Sequence, residues 1–287
     1  MLGSDRSLRR TRNLATEFLR SLAVVGAILV GFGATPATAR GQSDSLRVLF
    51  IGNSYTYFNN LPRLVQGLAE SDAGSRPIAV RMIAPGGMTL KGHLAGNDAL
   101  KAIGSRRWDF VVLQEQSALA NPVMHGNEPE PGSPNVFFAA ARSLDSAARA
   151  RGAKTVFYET WARVGQPQHT ATIADAYEQI AKELGSGVAP VGRAFAIART
   201  ERPTLVLNIE DKSHPTSTGS FLAACVLYQT LTGRAPHASG RIVGTAVSHD
   251  GVAALADTTA LVALSHADAR YLQDVAQRAV QALSEAK

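Results

Sequence analysis

The sequence predicts an α/β fold in which a parallel sheet is covered by helices on both faces. Three observations carry this expectation. After residue 45, short apolar stretches of strand character alternate with stretches of helical spacing, as strand–helix units of a parallel sheet do. Hydrophobic residues make up 45% of the 287-residue chain and charged residues 18%, enough apolar surface to offset chain entropy and exclude a disordered protein. Finally, the unusual polar clusters sit at the carboxyl ends of the first three strands, where a parallel sheet places its functional loops.

The elements follow in order. Arg6, Arg9, Arg10, Arg12 and Arg20 form a positive start, and an apolar run of 13 residues follows at 22–34. That run is too short to span a membrane. It suits a signal-peptide core, with Ala37-Thr38-Ala39 as a small-x-small site for cleavage before Arg40. Residues 1–39 are therefore expected to be a signal peptide, and 40–287 a single domain that is secreted or periplasmic. Cleavage removes five arginines and two acids from 29 basic and 23 acidic residues, leaving a net charge of +3 over 248 residues. So small a charge, without a basic run carrying aromatics, gives no footprint for nucleic acid. The processed chain has no expected membrane span.

Residues 47–51 are a β-rich run ending in Gly52-Asn53-Ser54, and 61–69 have helical spacing. Residues 78–84 form a second strand, stopped by Pro85-Gly86-Gly87, and 89–103 read as one helix. Residues 110–113 continue into Gln114-Glu115-Gln116 as a third strand. Four prolines (Pro122, Pro129, Pro131, Pro134) make 118–134 a long loop. Phe137, Ala140, Ala141, Leu144 and Ala148 then mark a helix face, with Gly152 placed to end it. Residues 155–159 are a fourth strand, 172–184 a helix and 188–191 a short fifth strand. Residues 221–231 are apolar on nearly every face, as in a buried helix closed by Gly233. The last helix opens on a Ser265/Asp268 capping box and carries Leu272, Val275, Ala279 and Leu283 on one stripe.

Four clusters could carry chemistry. Ser54 sits where a buried strand breaks, which suits a nucleophile presented at the sheet's edge and equally a turn or cap residue. Asp211 and His214 are three residues apart, so one turn can bring the carboxylate to an imidazole nitrogen and fix its tautomer; an ordinary polar loop has the same composition. Gly86-Gly87-Met88-Thr89 lets backbone approach a ligand closely, or simply turns the chain. Gln114 and Gln116 offer amide donors, or brace neighbouring loops.

Taken together, Gly52-Asn53-Ser54, Gly87-Met88-Thr89 and Asp211-Lys212-Ser213-His214-Pro215, in this order, resemble the sequence blocks of the SGNH hydrolases, the GDSL esterase/lipase superfamily. Asn53 stands where that family has Asp. The third block departs: Gln114-Glu115-Gln116-Ser117 replaces G-x-N-D. The resemblance covers about residues 46–235. It implies a three-layer α/β/α sandwich on a flavodoxin-like sheet of five parallel strands. It also implies hydrolysis of acyl or acetyl esters, small-molecule or carbohydrate, with no metal or other cofactor. By position it makes Ser54 the nucleophile, His214 the base and Asp211 its orienting carboxylate. Ser54 and Gly87 N–H groups with a side-chain amide would form the oxyanion hole. Gln116, nearer the carboxyl end, is the expected amide, with Gln114 bracing the loop. A non-catalytic carbohydrate- or ligand-binding module on the same fold is the alternative.

Other chemistries fit less well. The seven histidines show no H-x-x-x-H or H-x-H spacing, and no G-x-x-x-x-G-K-S/T loop exists. Cys225, the lone cysteine, falls within the buried helix pattern and reads as core. Trp161 suits either a substrate cleft or packing.

Overall fold

A computed structural model describes residues 45–119, 133–248 and 254–285. The expected leader at 1–39 and most of the proline-rich loop lie outside the described residues. From Ser45 on, the described residues belong to one compact unit.

β1 (Leu46–Ile51), β2 (Ile78–Ile83), β3 (Phe110–Leu113), β4 (Lys154–Tyr158) and β5 (Gly187–Ala189) form a five-stranded sheet in the order β2-β1-β3-β4-β5. Every adjacent pair is parallel. Ile51 pairs with Ile83 on one side and Leu113 on the other, so the carboxyl ends of the three strands are level. The chain leaves β1 toward β2 and then returns to β3 on the opposite side. The loops after β1 and β3 therefore part, and such a reversal opens a crevice at the strands' carboxyl ends.

Because strand side chains alternate, each strand feeds two cores. Val48, Phe50, Val112 and Tyr158 pack with α2 (Leu61–Ser71), α7 (Val191–Glu201), α8 (Ser217–Thr232) and α9 (His266–Glu285). Leu49, Ile51, Val111, Leu113 and Phe157 pack with α3 (Leu90–Gly96), α4 (Asp98–Gly104), α5 (Pro134–Arg149) and α6 (His169–Leu184). This is the expected three-layer sandwich. Helix α8 is buried from Gly219 through Tyr228, which explains its lack of a polar stripe. Cys225 is fully buried there and burial pushes its thiol up, so it is core. Among the described residues no helix is long and apolar enough to cross a membrane.

Three local readings are corrected, and one pair of strands is added. The helix expected over 89–103 is two, because Asn97 adopts φ 61° and serves as the end of α3 and the start of α4. The third strand stops at Leu113; Gln114 N–H still donates to the Ile51 carbonyl at 2.9 Å, but Glu115 N–H turns to Tyr177 Oη at 3.0 Å, so Gln116 lies beyond the ladder and the two glutamines do not share a strand face. The fifth strand ends at Ala189, and Val191 opens α7. A further antiparallel pair, β6 (Arg241–Val247) and β7 (Ala254–Ala263), stands outside the main sheet. The capping box holds: Ser265 Oγ accepts from Asp268 N–H at 3.1 Å.

Candidate active site

Where β1 ends, the chain makes a tight turn that requires its glycine. A Cβ on Gly52 would stand 2.3 Å from Thr56 Oγ1 and 2.5 Å from Gln114 Oε1. Asn53 then caps the short helix α1 (Ser54–Tyr57), its Oδ1 accepting from Tyr55 N–H at 3.2 Å. Asn53 Nδ2 donates to the Met88 carbonyl at 2.9 Å, which ties the Gly86-Gly87 turn to the Ser54 turn. An aspartate at 53 would set a carboxylate oxygen against that carbonyl, so the amide suits this position.

The same turn explains the unusual third block. Gln114 is fully buried. Its Oε1 accepts from Asn53 N–H at 3.0 Å and from Thr56 Oγ1 at 2.8 Å. Its Nε2 donates to Asn53 Oδ1 at 3.0 Å and to the Glu115 carbonyl. Both ends of the amide are thus spent on bracing. Gln116 is partly buried, and its Oε1 accepts from Ala118 N–H at 2.5 Å. Buried Glu115 accepts from Gln116 N–H at 2.6 Å and from Leu90 N–H at 3.3 Å, joining this loop to the start of α3. Gly87 lies exposed in the turn after β2 with φ +69°, a conformation glycine adopts without strain.

The structure brings Ser54, His214 and Asp211 together. His214 Nε2 lies 2.8 Å from Ser54 Oγ, and its Nδ1 lies 2.5 Å from Asp211 Oδ2. Asp211 Oδ1 accepts from the backbone N–H of Ser213 and of His214, both at 2.9 Å. The turn is closed by Lys212 at φ 62°. Partial burial pushes the Asp211 carboxyl up, but hydrogen bonds from His214 and the two backbone N–H groups outweigh it and hold it below its ordinary value.

Trp161, read from the sequence as a cleft or packing residue, and several residues with no local sequence signal position this turn. Trp161 Nε1 donates to the Ser213 carbonyl at 2.9 Å, and Asn208 Nδ2 to the same oxygen at 2.9 Å. Tyr55 Oη and Ser213 Oγ lie 2.6 Å apart. Phe58 stacks on the His214 ring at 4.4 Å, while Tyr55 meets it edge-on at 5.7 Å. Trp161 is buried between Tyr55 and Phe195, stacked on both, so it packs beneath the site instead of lining it. On the opposite side, buried His93 places Nε2 2.7 Å from the Gly52 carbonyl. A carbonyl only accepts, so Nε2 carries a proton; burial lowers the His93 pKa, opposed in part by the bond to Gly52.

No family model and no curated protein matches the chain. Solved structures do. A candidate SGNH hydrolase from Slackia heliotrinireducens is 30% identical, with a TM-score of 0.53 over 66% of this chain and 100% of that one. A DUF4886 family protein from Bacteroides uniformis is 19% identical, with a TM-score of 0.59 over 83% of this chain and 95% of that one. An acetylxylan esterase from Geobacillus stearothermophilus is 17% identical, with a TM-score of 0.54 over 66% of this chain and 96% of that one. The last two likenesses are of fold alone.

Proposed function

The chain belongs to the SGNH hydrolase superfamily, and on that premise we propose that it is an exported serine esterase acting on acyl or acetyl esters. The observation that carries this reading is the continuous hydrogen-bonded line from Ser54 through His214 to Asp211. In the proposed reaction Ser54 Oγ attacks the ester carbonyl while His214 Nε2 takes its proton. Asp211 holds the Nδ1 proton and stabilises the imidazolium that forms. The oxyanion is received by the N–H groups of Ser54 and Gly87 and by the Gln116 amide. His214 then returns its proton to the leaving alcohol, leaving an acyl-enzyme on Ser54. Water, deprotonated by His214, attacks that ester and frees the acid and the serine.

The positively charged start, short apolar run and Ala37-Thr38-Ala39 site support export. The fold it shares with an acetylxylan esterase makes O-acetyl groups on carbohydrate the first substrates to try. A binding module has no use for a serine held on an oriented histidine, and the enzyme reading is favoured for that reason. Hydrolysis of short p-nitrophenyl esters by the wild-type protein, lost in Ser54→Ala, tests the proposal. No hydrolysis across acetyl to octanoyl esters and acetylated xylan would reject it.

A further inference from the structure

Arg163 stands on the loop after β4, in a corner between two other loops of the crevice. Its Nη2 donates to Ser117 Oγ at 3.3 Å, just past the carboxyl end of β3. The next residue, Val164, donates its N–H to the Lys212 carbonyl at 3.0 Å, fastening this segment to the Asp211–His214 turn. The Arg163 side chain is only partly exposed, and its Nε is buried without an acceptor. Among the described residues no carboxylate lies within ion-pair distance of it. Several other arginines do find acids, Arg149 with Asp145, Arg234 with Asp72 and Arg278 with Glu201, while part-buried Arg199 is satisfied by the Ala162 carbonyl and Asn208 Oδ1.

A guanidinium presents several N–H donors in one plane, and Ser117 accepts one of them through a long bond. Withdrawing a cation from water without a partner costs free energy. A ligand that supplies the missing acceptor offsets that cost. The position is also close to the chemistry. Tyr55, whose hydroxyl is pushed up by burial, feels the Arg163 charge and the Ser117 hydroxyl in the opposite sense, and Tyr55 lies edge-on to His214.

We propose that Arg163, with Ser117, is a subsite for a carboxylate carried by the substrate. The planar fork of a guanidinium matches a carboxylate in two parallel hydrogen bonds. One cation beside one neutral hydroxyl suits a monoanion; a phosphate dianion would leave excess charge unmatched. The carboxylate sits on a part of the substrate that does not react, and its binding energy draws the ester toward Ser54. The preferred substrates are then acidic esters, such as an acetylated uronate, in place of neutral ones. The nature of the substrate rests on the esterase reading; the binding of a carboxylate does not.

The test therefore has two arms. In the first, kcat/KM is measured for 4-acetoxybenzoate and for its neutral methyl ester, with wild type, Arg163→Gln and Arg163→Lys. The wild-type ratio should favour the acid, and Arg163→Gln should lower that ratio by roughly tenfold to a hundredfold, as for loss of a charged hydrogen-bonded pair. Arg163→Lys should recover only part, because a lysine cannot form the fork. In the second arm, calorimetry follows binding of 4-hydroxybenzoate, with 4-hydroxybenzamide as the neutral control. The acid should bind wild type more tightly than the amide does, and Arg163→Gln should erase the difference. A ratio unmoved by Arg163→Gln, or an acid bound no better than the amide by wild type, overturns the proposal. If no ester is cleaved at all, the esterase reading fails and calorimetry alone decides the subsite. If Arg163→Gln does not fold, the wild-type preference and the Arg163→Lys ratio decide it.

Discussion

Asp211 does two things with one carboxylate. Oδ2 faces His214 Nδ1, and Oδ1 holds the turn closed through two backbone N–H groups. Asp211→Asn keeps an oxygen for the backbone but offers an amide where the imidazole needs an acceptor, which favours the wrong tautomer. Turnover should fall by roughly 10⁴ with little change in melting temperature. A variant that keeps wild-type turnover would contradict this role. Gln116 and Gln114 should separate in the same assays. Gln116→Ala should lower kcat by about 10²–10³ with little change in KM, as for a lost oxyanion donor. Gln114→Ala should instead lower the melting temperature, because Gln114 spends both amide ends on the Asn53 turn. The reverse pattern would exchange their roles.

At the scale of elements, the site depends on how closely the β1 turn approaches β3. Gly52 has no room for a methyl group beside Thr56 and Gln114. Gly52→Ala should destabilise by about 1–3 kcal/mol through overpacking and lower turnover by moving Ser54; denaturant unfolding beside a turnover assay measures both. An alanine variant as stable and active as wild type would show that the turn has slack. A second junction, between β4 and α7, links stability to pH. Glu159, the residue after β4, is buried and accepts from Arg193 N–H at 3.0 Å near the start of α7. Its Oε2 has no hydrogen-bond partner. Burial, opposed in part by the Arg193 charge, pushes its pKa from 4.5 up to about 8. The native state thus binds this proton more tightly than the unfolded chain. The stability it contributes is full below pH 4.5, falls as pH rises, and is lost by about pH 8. Glu159→Gln should remove that slope and gain stability, of order a few kcal/mol, on the alkaline side. Parallel urea titrations across this range are the check, and an unchanged slope in the variant would contradict it.

At the scale of the molecule, the layered fold was legible because each buried strand is a short apolar run and each helix carries its own face. The Val191, Ala194, Phe195 and Ala198 spacing of α7 was also there to be read, but assigning Val191 to the preceding strand concealed it. The β6–β7 pair escaped because it lies outside the parallel sheet whose alternation organised the reading. In the site, Ser54, Asp211 and His214 were legible from residue type and order. Tyr55, Phe58 and Thr56 were not, and Trp161 was open between a cleft and packing, since the contacts that matter join residues far apart: Tyr55 meets Ser213 across 158 positions. No local period encodes such a pairing. The Gln114 exchange with Asn53, across 61 positions, is of the same kind. The proposed function depends most on Ser54 being the nucleophile. Labelling the folded protein with a fluorophosphonate and locating the modified residue by peptide mass spectrometry tests it most directly. A single adduct is expected on Ser54, absent in Ser54→Ala, whose turnover should fall on the order of 10⁶. An adduct on Ser117 or Ser220, or labelling that persists in Ser54→Ala, would contradict it.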